Sequence, residues 1–397
     1  MRGTQVNPHL SMAIVPWVAS RAALVLAVYF TLRSTTIERP DPSLDAMPLR
    51  SSGDSWRAFP DLLWLDGWIR WDSAWYWNIV NQGYAMHAGD PSNVAFFPLY
   101  PLVSWTVSLP FRLALSPDRA FYLAGFIVSQ AAFLLALLGL ARLGVELVGH
   151  DGTKRSLWLL CLSPFSFFFS AAYTESLYLA LAVWSFYWAQ RNRWVAACVL
   201  AALCSATRSL GILLAPILAL QYWAQRGDRS AAVGKDALAL LIAPLGLLLF
   251  MVYLWLHVGD PLAFMHVQAA GAWERSLSLF YLRGQISYVL DPGNYFYDRA
   301  MEAWQLLFLV SSLALSFLAM WRLGPGYGLF ALASSLVVMF SGSSLSMGRL
   351  LSVLFPIFLV AGSLLKSRIA FVSACVLMSP FLISYACGFA RWYFAPI

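Results

Sequence analysis

The chain has 397 residues and a formal net charge of +7, with 60% of its residues hydrophobic and only 11% charged. That balance leaves too little polar surface for a soluble protein of this size and makes a lipid bilayer the main solvent. The positive charge is not gathered into a stripe on any one element, so nucleic acid is excluded as a partner.

The apolar run that starts the chain reaches Leu32 without a small-residue cleavage site, so it reads as an anchor rather than a removed signal. Residues 11–33, 120–147, 155–170, 174–190, 194–208, 209–225, 236–257, 302–321, 326–341, 349–365 and 369–388 have the composition of membrane helices. The expectation is one all-α polytopic domain over residues 1–397 with about eleven spans. Several are shorter than about 20 residues, so they must tilt or end inside protein where a cavity satisfies their ends. The cysteines lie in these apolar runs without metal-ligand or disulfide-framework spacing, and read as small packing residues.

Loops kept in the cytoplasm are enriched in Lys and Arg. With a cytoplasmic N-terminus the inner loops carry a net +8 and the outer segments −2, and Lys154, Lys235 and Lys366 all fall inside. Two sizeable outer loops result, 34–119 and 258–301, and function is expected there. The apolar stretch 96–115 contains Pro98, Pro101 and Pro110. It is expected to form an interfacial or re-entrant helix, because a span here would invert every later loop.

In the first outer loop Trp64, Trp68, Trp71 and Trp75 are spaced four, three and four, which puts them on one helical face. The expectation is a helix lying along the bilayer surface with this stripe toward the lipid, Gly67 being the residue able to break it. Asp66 and Arg70 fall opposite and four apart, as a solvated ion pair would. Asp72 falls on the flank of the apolar stripe, where a carboxylate has no structural reason to be, so it is a candidate for chemistry.

The motif Arg70-Trp71-Asp72-Ser73, with Gly83-Tyr84 and then Phe96-Phe97-Pro98-Leu99-Tyr100-Pro101, resembles the GPI mannosyltransferase 2 (PIG-V) family. Further blocks follow in the same order: Phe168-Phe169-Ser170-Ala171-Ala172-Tyr173-Thr174-Glu175-Ser176, Ser205-Ala206-Thr207-Arg208-Ser209, Gly259-Asp260-Pro261-Leu262-Ala263-Phe264 with Gln268, and Met347-Gly348-Arg349. Gly348 departs from the pattern, which has proline before the arginine. The resemblance implies a GT-C type helical bundle whose first outer loop carries a catalytic carboxylate. It also implies a polyprenyl- or dolichyl-phosphate-mannose donor, a lipid-linked glycan or glycolipid acceptor, and an inverting transfer forming an α-mannoside.

Such a transfer needs a base to take the acceptor proton, and Asp72 is the candidate. Charge grows on the departing lipid phosphate, so cations should meet it at interface depth; Arg208 and Arg349, at outer ends of short spans, are the candidates, with snorkelling to headgroups as the plain alternative. Glu175, in an outer turn, could orient a sugar hydroxyl, cap its helix, or rival Asp72 as base. Tyr173, Trp71, Tyr76, His266 and Gln268 are candidate substrate contacts, since outer aromatic residues can stack on sugar rings as well as anchor at the interface. Arg391 is a weaker candidate, and Asp260 before Pro261 is expected to cap a helix. No metal-ligand spacing is present, so neither metal nor cofactor is expected. Membrane lipids are the remaining partner; the compact loops suit a prokaryotic relative of the family, and a cell membrane rather than the endoplasmic reticulum is expected, with the site on the outer face. A sugar or lipid carrier would also show short spans and polar residues, but the polar residues here gather at one face and the two halves show no repeat; a non-catalytic assembly subunit is a third possibility.

Overall fold

The computed structural model describes residues 8–36, 57–86, 92–226, 234–269, 278–344 and 346–393. Every regular element among them is helical: α1 (Pro8–Ser34), α2 (Leu63–Asp66), α3 (Ser73–Gln82), α4 (Leu99–Ser108), α5 (Pro117–Leu162), α6 (Glu175–Gln190), α7 (Trp194–Ser205), α8 (Leu214–Arg226), α9 (Leu245–Val258), α10 (Ala263–Ala269), α11 (Phe280–Leu290), α12 (Phe296–Arg322), α13 (Pro325–Met339), α14 (Met347–Ser352), α15 (Phe355–Leu364) and α16 (Arg368–Ala390). Five of the described segments are long and apolar enough to cross a membrane: α1, α5, Asp236–Val258, α12 and α16. The 27 residues of α1 or α12 rise about 40 Å, more than the roughly 30 Å of a hydrocarbon core. The protein is therefore an integral membrane protein.

Other apolar segments divide into shorter helices. The span drawn at 349–365 splits into α14 and α15. Those drawn at 120–147 and 155–170 are the two arms of α5, which bends at Gly149, φ 74°; a side chain at that φ would meet the following carbonyl, so glycine is the residue for the bend. The second arm ends at Leu162, and residues 163–174 form buried turns with one 3-10 element, Ser166–Phe169. In the stretch 96–115 the helix is α4, ten residues long and too short to cross a membrane alone.

The packing reverses that of a soluble protein. Large apolar side chains such as Leu249, Trp255 and Leu256 on α9 and Ile369 and Val376 on α16 point outward, while Ser129, Ser156, Ser185, Ser312 and Ser335 are buried between helices. Small hydroxyl residues let helix backbones approach and bond across the contact, as Ser312 and Ser335 do at 2.6 Å. The arms of α5 form the hub, touching α1, α4, α6, α15 and α16.

Arg21, in the middle of α1, is buried without a carboxylate partner among the described residues. It donates to the Cys161 and Ser166 carbonyls and to the hydroxyls of Ser166 and Ser170 at 2.8–3.1 Å. Backbone groups freed from helix within a membrane must find partners inside the protein, and Arg21 supplies them for the turns 163–174.

Candidate active site

The first loop does not form the continuous surface helix that the tryptophan spacing suggests. Helix α2 stops at Asp66, and α3 begins only at Ser73. A helical wheel drawn across 64–75 therefore fails. Trp68, Trp71 and Trp75 are buried in protein instead of facing lipid, and only Trp64 is exposed.

The Asp66–Arg70 pair is likewise not solvated, since both side chains are 0% exposed. Arg70 reaches Asp66 Oδ2 at 2.6 Å, donates to the carbonyls of Asp66 and Ile69, and through Nε donates to the Ala390 carbonyl at 2.8 Å. The other Asp66 oxygen accepts the Phe59 amide at 2.9 Å. A buried ion pair holds only when its remaining hydrogen-bonding groups are met, and here they are met by the turn itself and by the end of α16.

This clamp fixes the strained turn that presents Asp72. Trp71 has φ 46°, a conformation that side chains other than glycine, Asn or Asp seldom adopt. Its ring packs on Trp392 at 5.2 Å, and the Arg70 guanidinium lies over the same Trp392 ring. On the far side the Ala172 amide donates to the Trp68 carbonyl, and the Asp72 amide donates to the Tyr173 hydroxyl at 3.2 Å.

Four charged side chains then alternate. The Asp72 Oδ2 accepts from Arg349 Nη1 at 2.6 Å, Arg349 Nε donates to Glu175, and Glu175 also accepts from Arg208. They arrive from the α3 N-terminus, α14, the α6 N-terminus and the turn after α7. Glu175 is fully buried and Arg349 nearly so, whereas Arg208 is 15% and Asp72 19% exposed. The Arg349 guanidinium lies 4.4 Å from the Tyr173 ring centroid, where the ring face favours a cation.

Asp72, Arg208 and Arg349 open into a cavity of about 460 Å³, walled also by Tyr76, Phe96, Phe264, Gln268, Val337 and Leu350. Glu175 and Tyr173 are buried behind that wall, where they hold the arginines and Asp72. Trp71 supports the turn. His266 is 60% exposed and pairs with Asp260 at 2.6 Å. That hydrogen bond holds the Asp260 carboxyl below the usual carboxylate range, while its other oxygen caps the turn by accepting the Leu262 amide. Arg391 follows α16, outside the wall. Among the described residues no group of three or more His, Cys, Asp or Glu is arranged to hold a metal.

Gly348 has a physical reason. Its amide donates to Gln305 at 3.2 Å, which proline could not do, and a Cβ there would stand 2.3 Å from the Phe165 ring. The preceding Ser346 takes φ 64°. Strained backbone thus precedes both Asp72 and Arg349. Sequence reasoning missed Gln305, the Thr174 hydroxyl on Arg208, 3.2 Å away, and the wall residues Thr207 and Ser209. The last two flank Arg208 and could have been suspected from that adjacency.

An integral membrane helical protein with alternating carboxylates and arginines at a half-open cavity defines the class. The sequence profile of the mannosyltransferase (PIG-V) family matches residues 9–228, more than half of the chain, and the chain belongs to that family. No curated protein sequence matches the chain. Among solved structures it is similar to the oligosaccharyltransferase of Archaeoglobus fulgidus in the apo form, at 13% identity over 98% of this chain and 56% of that one, with a TM-score of 0.49. It is also similar to the same archaeal enzyme in complex with an inhibitory peptide and a dolichol-phosphate, at 12% identity, 98% and 56% coverage and a TM-score of 0.46. The chain thus spans just over half the length of that enzyme, and overlaps of this degree carry neither detail of the fold nor activity from one to the other.

Proposed function

We propose that the chain is an inverting mannosyltransferase of GT-C type, with about eleven crossings, that moves mannose from a polyprenyl- or dolichyl-phosphate-mannose to a lipid-linked glycan or glycolipid. The observation that carries this reading is the Asp72–Arg349–Glu175–Arg208 array at the wall of a cavity that is otherwise largely apolar. A carboxylate that opens into the same cavity as two guanidinium groups matches the two demands of the reaction, a base and a counter-charge for a leaving phosphate. The apolar remainder suits the lipid tails that the donor and acceptor carry.

In this reading Asp72 takes the proton of the acceptor hydroxyl as its oxygen attacks the anomeric carbon. The bond from that carbon to the phosphate oxygen breaks on the opposite face, and its electron pair leaves with the lipid phosphate. Arg208 and Arg349 stabilise that charge. Because Arg349 already holds Asp72 Oδ2, the other carboxylate oxygen, which makes no hydrogen bond among the described residues, is the one free to act. Glu175 accepts from both arginines through one oxygen, and its other oxygen is buried away from the cavity, which makes it a positioning residue rather than the base. The guanidinium groups supply the positive charge, and no divalent ion is required.

The test is donor-dependent transfer by purified protein with a chelator present throughout. Asp72→Asn should give a folded protein whose turnover falls by a factor of about 10²–10⁴, the usual share of a general base. Near wild-type turnover of this variant would overturn the assignment of the base, and absence of mannosylated lipid with the native chain would overturn the reaction.

A further inference from the structure

A second cavity, of about 570 Å³, lies at the other end of the bundle. Helix α6 runs from Glu175 at the site to Gln190, which accepts a hydrogen bond from Tyr327 near the start of α13. Helices α14 and α15 run from Arg349 at the site to Ser363, on the wall of this second cavity. The bend of α5 at Gly149 forms another part of that wall, and Arg155, Arg322 and Lys366 complete it.

These three cations come from α5, the end of α12 and the turn after α15. Arg155 Nε donates to the Gly362 carbonyl at 2.8 Å, and Arg322 Nη1 stands 3.5 Å from the Ser363 hydroxyl, so two guanidinium groups from different helices meet neighbouring residues. None of the three forms an ion pair with a described carboxylate. Asp151 is the one acidic side chain in the wall. The negative end of α15 favours a cation in its last turn, which explains one of the three and leaves like charges gathered around an open volume. Like charges are brought together where something of opposite charge completes them.

We propose that this cavity binds a phosphate group, presented by the headgroup of an anionic membrane lipid. Basic pockets between membrane helices recognise such headgroups, and anionic lipid is concentrated in the cytoplasmic leaflet, the side to which the loop charges assign this end of the chain. The cavity lies at the opposite end of the bundle from Asp72, so the proposal stands or falls separately from the transfer reaction.

The test compares lipids retained by the protein after extraction from vesicles of phosphatidylcholine with and without phosphatidylglycerol, read by native mass spectrometry. The native chain should retain phosphatidylglycerol in preference. Lys366→Gln should reduce that retention about fivefold, and the triple variant Arg155→Gln, Arg322→Gln, Lys366→Gln should abolish the preference, following the usual contribution of one basic side chain near a charged surface. A second arm measures the thermal shift given by inorganic pyrophosphate in phosphatidylcholine alone. A shift lost in Lys366→Gln, with no lipid preference, would keep the phosphate site and overturn the lipid as its source. No lipid preference and no shift in the native chain would overturn the proposal. Lys366 is exposed, so its single variant should fold even where the triple one does not.

Discussion

Asp72 was singled out on two grounds, a helical wheel that fails across the break between α2 and α3 and a motif that resembles a known family; its side chain lies at the cavity wall. The pairing of Asp72 with Arg349, itself a candidate, could not be read, since Arg349 lies 277 residues away and only the fold brings them together. Asp66 and Arg70 were misread for the same reason; their spacing of four fits a surface helix, but the helix ends at Asp66 and burial turns the pair into a clamp. The distinction between Glu175 and Asp72 now rests on burial. Glu175→Gln removes the charge that holds Arg208 and Arg349, and leaving two cations near each other without it should destabilise the protein by about 3–5 kcal/mol, as breaking a buried pair does. Its loss of turnover should come with a lower melting temperature, whereas Asp72→Asn should lose turnover alone. Arg208→Gln should raise the donor KM or lower kcat while Glu175 stays paired with Arg349; unchanged kinetics would remove Arg208 from the phosphate site. Gly348→Ala sets a methyl group against the Phe165 ring and should cost about 1–3 kcal/mol of stability, the usual penalty of overpacking, measured by thermal unfolding.

At the scale of elements, apolar runs located the helices well and their ends poorly. The run through residue 170 looked continuous, yet the helix stops at Leu162 and the next twelve residues are turns. Composition cannot show this, because those turns are as apolar as the helices around them. The clue was Arg21, a charge in a span with no obvious use. Four of its hydrogen bonds support the end of α5 and the turns that lead to Tyr173 and Thr174, next to Glu175. Arg21→Leu should leave two buried carbonyls without partners, at about 1–3 kcal/mol each. A lower melting temperature with reduced turnover is the expected result, and native stability in detergent would show that the turns hold without it.

For the whole molecule, the loop charges divide the chain into two faces, and the helix directions put the Asp72 cavity and the Lys366 cavity at opposite ends. Single cysteines placed at Asp61 and at Lys366, in a background lacking the native cysteines, should react with an impermeant thiol reagent from opposite sides of sealed vesicles. Reaction from the same side would overturn the orientation read from the charges. The number of crossings was harder to read, since the ten residues of α15 are more apolar than the 27 of α12, so apolarity does not tell a short helix from a long one.

Arg70, close to the beginning of the chain, is anchored on the carbonyl of Ala390, and Trp71 leans on Trp392. During synthesis the ribosome therefore delivers the motif long before its abutment. A nascent chain still lacking α16 would carry every charged residue of the array and yet have an unbuttressed turn, so catalytic competence should arise abruptly, once α16 and Trp392 are in place, rather than grow as each helix enters the membrane.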